Sequence, residues 1–139
     1  MKKTVFSHKP YALDIGLLLL RVCTALMLLT HGWSKITHFS ERLSGFSDPI
    51  GLGPGLSLQL VIFAEFFCGI FLIFGFMSRI ILIPMIINMA VIVFIVHGGS
   101  GFGKQELPMM YLLVFIVLSF LGPGKFSLDG KIVKSRSRY

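Results

Sequence analysis

The chain has 139 residues, of which 55% are hydrophobic and 14% charged, yet 13 Lys and Arg stand against 6 Asp and Glu. A mean hydropathy of +0.86 is too apolar for an ordinary soluble domain and excludes a disordered chain. The net charge of +7 does not by itself point to nucleic acid, because membrane proteins gather cations for a topological reason.

A helix that crosses a bilayer needs roughly 20 apolar residues. Four stretches qualify, at about 11–31, 56–76, 79–97 and 107–121. Lys2 and Lys3 precede the first, but Arg21 interrupts its apolar core and no small-x-small cleavage site follows, so it reads as a retained span and not a signal peptide. Residues 36–55 carry Phe39, Leu43 and Phe46 beside Ser40, Glu41 and Arg42, the pattern of a short amphipathic helix at the interface. Gly51 to Gly55 then turn the chain back, and a connection this long suits a lid or binding loop. The second span contains Glu65. The third is free of charge from Arg79 to Lys104, and Pro84 predicts a kink one turn inside it. Pro108 marks the first turn of the fourth, and a basic tail occupies 125–139.

Other residues read as packing. Cys23 and Cys68 lie in apolar runs without a CxxC motif and read as packed thiols. Met85, Met89, Met109 and Met110 read as core or lipid-facing, and Trp33 and Tyr111 as interfacial anchors.

The expected fold is all-α, an integral membrane up-down bundle of four transmembrane helices forming one domain over 1–139. Four spans put both termini on one side. That side would hold Lys2, Lys3, Lys9, Arg79, Lys125, Lys131, Lys134, Arg136 and Arg138, against Lys35, Arg42 and Lys104 opposite. The positive-inside rule makes the richer side, with both termini, cytoplasmic. The cations therefore report topology and contact with anionic lipid, not a nucleic-acid partner.

An ionisable side chain in the hydrocarbon costs a few kcal/mol on the insertion scale, so each needs a partner or a purpose. Counted from the span ends, Arg21 and Glu65 lie at nearly one depth, which predicts a buried ion pair that either clamps helices or carries protons. Asn88 reaches the same level and could bond to either. Asp14, Arg21, Leu28 and Lys35 recur every seven residues, so this stripe faces the bundle, with His31 close by. A second cluster gathers at the outer end: His31, Lys35, Gln59, His97 and Glu106. Such a set could transfer protons, ligate a metal, or hold a headgroup or quinone carbonyl. Metal or bis-imidazole haem is disfavoured, because no HxxxH or ExxH pattern puts two ligands on one helix. Asn88 and His97 are nine apart, on opposite faces of an ideal helix, so both face inward only if the Gly98-Gly99 end unwinds.

An Arg in the first span, His31-Gly32-x-x-Lys35, Glu65 in Ala64-Glu65-Phe66-Phe67-Cys68-Gly69, Gly75-Phe76-Met77-Ser78-Arg79, His97 with Gly101-Phe102, Glu106, and Gly122-Pro123-Gly124-Lys125-Phe126-Ser127-Leu128-Asp129 form an ordered set. It resembles the DoxX family from about Asp14 to Asp129. The resemblance implies a small four-helix protein of the bacterial inner membrane, associated with quinone-linked or thiol and sulfur redox systems. The chain has no flavin or nucleotide fingerprint, so electrons would pass through a bound quinone or a redox-protein partner. A quinone slot needs apolar walls and a few polar groups at the ring carbonyls. His31, Lys35, His97 and Glu106, with Phe39, Phe46, Gln59 and Phe102 as walls, would suit one, and His31→Ala should then weaken binding. The rival expectations are a transport path marked by Asp14, Arg21, Glu65 and Lys35, and a non-catalytic scaffold that recruits redox partners. Self-association is also expected, since four spans expose much surface to lipid.

Overall fold

The computed structural model describes residues 12–136; Tyr11 and the expected cytoplasmic cations Lys2, Lys3, Lys9 and Arg138 lie outside them. Among the described residues the chain is helix, turn and loop without a strand. Four helices are long and apolar enough to cross a membrane: α1 (Leu13–Thr37), α3 (Pro54–Phe74), α4 (Ser78–Val96) and α5 (Gly101–Leu121). Two short helices complete the set, α2 (Phe39–Leu43) in the expected amphipathic segment and α6 (Leu128–Arg136) within the basic tail.

The ends of the spans differ from the sequence expectation, and the differences matter. α1 continues six residues beyond His31, because no Gly or Pro breaker follows except Gly32, which helices tolerate. His31, Gly32 and Lys35 are therefore helical. α5 begins at Gly101 instead of 107, so Glu106 and Pro108 lie inside the helix.

α1 packs on α3, α3 on α4 and α4 on α5. The α3–α4 connection is tight, with Gly75 closing α3 at φ 64 and Met77 opening α4 at φ 49. Consecutive helices alternate in direction, and the start of α1 meets the segment after α5 through an Asp14–Lys125 ion pair at 3.3 Å. This is called the terminal end below; the other is the loop end.

The core is apolar, with Ala25, Leu28, Leu72, Leu82, Met85 and Phe115 almost fully enclosed. Outward faces are equally apolar: Leu19, Leu26, Ile83, Phe94 and Leu113 are exposed, as suits helices solvated by acyl chains. The seven-residue stripe on α1 does turn inward, with Leu17, Arg21, Ala25, Leu28 and Gly32 all buried. Cys68 is a packed thiol, but Cys23, about 200° round α1 from Arg21, is exposed. Tyr111 is buried and stacked on Phe115, so it is a core residue and not an interfacial anchor.

Candidate functional site

The inward-facing cations of α1, Arg21 and Lys35, mark two different environments, and neither is the expected Arg21–Glu65 pair. At the terminal end Arg21, 1% exposed, donates to the carbonyl oxygens of Pro123 and of Phe126, the latter at 2.8 Å. Gly75 lies against its guanidinium; a Cβ there would stand 2.7 Å from Nη1 and 2.5 Å from the Ser127 Cβ. Asp129 accepts from the Met77 and Ser78 amides at 2.8 Å each and so caps α4. Its own amide donates to the Gly75 carbonyl. The GFMSR and GPGKFSLD segments thus interlock around Arg21.

The register of the antiparallel α1–α3 pair explains why Arg21 misses Glu65. Gly32 is opposite Phe66, Gly69 is opposite Leu29, and Gly75 is opposite Arg21. Glu65 therefore faces the level of Gly32, eleven residues and about 16 Å along α1 from Arg21. Depth counted from the span ends was misleading because those ends are not level: α1 starts at Leu13, eight residues before Arg21, whereas α3 closes at Gly75, opposite Arg21.

At the loop end the same register brings Lys35 to Glu65. A Cβ on Gly32 would lie 2.9 Å from the Phe66 Cβ and 3.0 Å from its backbone nitrogen, so only Gly allows α1 this close. One turn further, the Lys35 ammonium reaches Glu65 Oε2 at 2.5 Å, with side-chain exposures of 17% and 3%. Glu65 itself sits in a π turn, Phe63–Phe67, inside α3. Such single wide turns insert an extra residue and recur at functional sites.

Lys35 lines a cavity of about 770 Å³ enclosed by the loop after α2, by α3 and by α4. Phe46, Phe63, Val91 and Ile92 supply apolar wall, and Arg42, Ser57, Asn88 and His97 supply polar groups. Leu60, Phe63 and Ile87 line it while remaining exposed on the outer surface, so the cavity opens sideways between helices. The loop over it is pinned by Asp48, which accepts from Leu52 N at 3.0 Å, Gly53 N at 2.8 Å and Ser57 Oγ at 2.9 Å. Those bonds, the Gly53 amide foremost, hold the Asp48 carboxyl below the usual carboxylate range.

The expected outer cluster is thereby divided. Lys35, His97 and Phe46 line the cavity; His31, Glu106, Gln59, Phe39 and Phe102 do not. No α5 residue contributes to the wall, which removes Glu106 and Phe102, the latter 66% exposed. His31 turns to the α5 side of α1, where its ring meets Tyr111 edge-on at 6.4 Å between centroids. Gln59 points outward from α3.

Asn88 and His97 share the cavity, and α4 does end at Val96, with His97 and the Gly98-Gly99 turn beyond it. A second π turn, Ile92–Val96, lies between them, and the His97 amide bonds to the Ile92 carbonyl five residues back. The extra residue makes their nine-residue separation behave like eight on an ideal helix, about 80° apart instead of 180°. Nothing in the sequence signals either π turn. Glu41 and Arg42, read only as the polar face of an interfacial helix, also reach the cavity rim.

Among the described residues no three His, Cys, Asp or Glu side chains converge as a metal site. The charges around the cavity balance: Lys35 and Arg42 against Glu41 on its wall and Glu65 behind Lys35.

Comparison with known proteins adds a lineage to this geometry. The DoxX family model matches residues 16–98. The chain is similar to the Escherichia coli protein named "Inner membrane protein YqjF", at 31% identity over 84% of this chain and 91% of that one. It is likewise similar to a Haemophilus influenzae protein, at 31% identity over 91% of this chain and 95% of the other. A third relative, from Bacillus subtilis, bears the name "Putative oxidoreductase CatD" and is 28% identical over 88% of this chain and 91% of that one. No solved structure matches the chain at a significant level.

Proposed function

Because the chain belongs to the DoxX family of membrane proteins, we propose that it is a subunit of a membrane redox system and that its cavity takes a quinone. The cavity carries this reading. Its volume of about 770 Å³ falls within the roughly 300–1,000 Å³ of small-molecule sites. Its sideways opening suits a ligand that arrives dissolved in the membrane, and its balanced charges suit a neutral one.

Lys35 would supply a hydrogen bond to a ring carbonyl, and His97 an imidazole able to donate or accept a second one. Electrons would come from a partner subunit, since the sequence carries no dithiol or flavin motif of its own. We place both termini on the cytoplasmic side, on the cation asymmetry. The name of the Bacillus subtilis relative agrees with the redox reading. A polar path along α1 is a weaker account, because Ala25, Leu28 and Gly32 leave its inward face apolar between Arg21 and Lys35.

The test is titration of the purified full-length protein, in mild detergent, with short-chain ubiquinone and naphthoquinone analogues. Saturable binding of one quinone per chain is expected, abolished by Val91→Trp, which fills the cavity from its wall. Absence of binding, or binding that survives Val91→Trp in a folded protein, would sink the assignment.

A further inference from the structure

Among the described residues four side-chain atoms are enclosed without a hydrogen-bond partner: Arg21 Nε, Ser78 Oγ, Asn88 Nδ2 and Tyr111 Oη. Of these residues only Asn88 lines the loop-end cavity. It stands ten residues into α4 from Ser78, about 15 Å along the helix and so near mid-span. Glu65 is a similar distance from the same turn on α3, so Asn88 and the Lys35–Glu65 pair share one level. Among the described residues the Asn88 Nδ2 makes no hydrogen bond, and the apolar Ile87, Val91 and Ile92 line the same cavity.

A primary amide left unpaired at that depth opposes insertion and folding, and a Leu in its place would do neither. No neighbouring helix gives its Nδ2 a partner among the described residues, which leaves the cavity. Lys35 donates to Glu65 with one of its three ammonium protons, so others remain available on the cavity side. Two donors thus stand at the deep level of an otherwise largely apolar slot.

Building on the quinone reading above, we propose that Asn88 is the residue that recognises the ligand ring, its Nδ2 donating to a carbonyl oxygen at the deep end of the cavity with Lys35 as the neighbouring donor. A primary amide also carries an acceptor. Asn88 can therefore accept from the hydroxyl of the reduced ring as well as donate to the carbonyl of the oxidised one, and holds both forms without a change of charge. Leu has the same four-heavy-atom outline, branched at Cγ, and neither capacity.

The decisive experiment compares wild type with Asn88→Leu, full-length in mild detergent, using a short-chain ubiquinone labelled with carbon-13 at one ring carbonyl. In Asn88→Leu the dissociation constant should rise roughly tenfold, the loss of one buried hydrogen bond. Its thermal midpoint should hold or rise, which a packing role for Asn88 would not allow. The infrared stretch of the bound carbonyl should move to higher frequency as the bond is lost. Unchanged affinity and an unshifted band in folded Asn88→Leu would overturn this assignment and leave the quinone site standing. A wild type that binds no quinone would overturn the site itself, and this assignment with it. Should Asn88→Leu not fold, Asn88→Ala takes its place, and unchanged affinity with an unshifted band overturns the assignment there too.

Discussion

α1 carries two inward-facing cations fourteen residues apart on one stripe, and the two ends of the bundle use them in opposite ways. Arg21 meets backbone carbonyls in a closed knot of turns. Lys35 meets one carboxylate and faces a cavity. The residue types fit the roles. A guanidinium offers five donors in a fixed fork, enough to gather two carbonyls from one loop, whereas an ammonium is a compact point charge on a flexible stem. At the terminal end the Arg21 guanidinium and the Asp129 carboxylate are turned to joining helices, and the atoms left unpaired there, Arg21 Nε and Ser78 Oγ, are enclosed. At the loop end Lys35 and the unpaired Asn88 amide line an open cavity.

This contrast can be broken at either end. The largest effect is expected at the knot. Arg21→Lys should destabilise the protein by about 3 kcal/mol or more, since one ammonium cannot replace the fork and leaves a carbonyl buried without a donor. Detergent-phase thermal unfolding measures it, and a loss below about 1 kcal/mol would contradict the knot. Next comes Gly32→Val, whose side chain must push α1 away from the Phe63–Phe67 turn. A cost of about 1–3 kcal/mol is expected, together with loss of quinone binding as Lys35 leaves Glu65.

Asp48 should show a pH dependence confined to the loop. Its carboxyl is held below the ordinary value by the Gly53 amide first and the Ser57 hydroxyl next. Its contribution is thus fully present above the unfolded value, about pH 4, and is lost as pH falls through the lowered folded value. Amide exchange at Leu52 and Gly53, corrected for intrinsic rates, should accelerate on acidification, and Asp48→Asn should show the faster exchange already at neutral pH. Smallest of all is His31→Ala, expected to change stability by no more than about 0.5 kcal/mol and to leave quinone affinity unaltered. A clear loss of affinity there would return His31 to the site and undo the boundary drawn between α1's two flanks.

The architecture was readable because hydropathy and length are sufficient to find spans, and the inward stripe on α1 followed from the seven-residue repeat of Asp14, Arg21, Leu28 and Lys35. Pairing across helices was not readable. It depends on register, and the residue that sets the register here is Gly32, whose meaning lies in what it lacks. Arg21 was a buried cation by sequence, but its partners are backbone carbonyls, which have no sequence signature. Of the residues gathered at the outer end by sequence, Lys35, His97 and Phe46 line the candidate cavity, whereas Glu106 and Phe102 lie on α5, which starts at Gly101 and gives the cavity no wall. The phase shift that unites His97 with Asn88 comes from a π turn of Ile and Val residues indistinguishable from ordinary helix in composition.

The knot also bears on how the chain is made. The carbonyls that satisfy Arg21 belong to residues 102 and 105 positions downstream. During synthesis α1 is therefore delivered to the bilayer with its cation unanswered until Pro123 and Phe126 emerge. A truncated product lacking them would retain that defect, a mark by which membrane proteolysis could tell unfinished chains from finished ones.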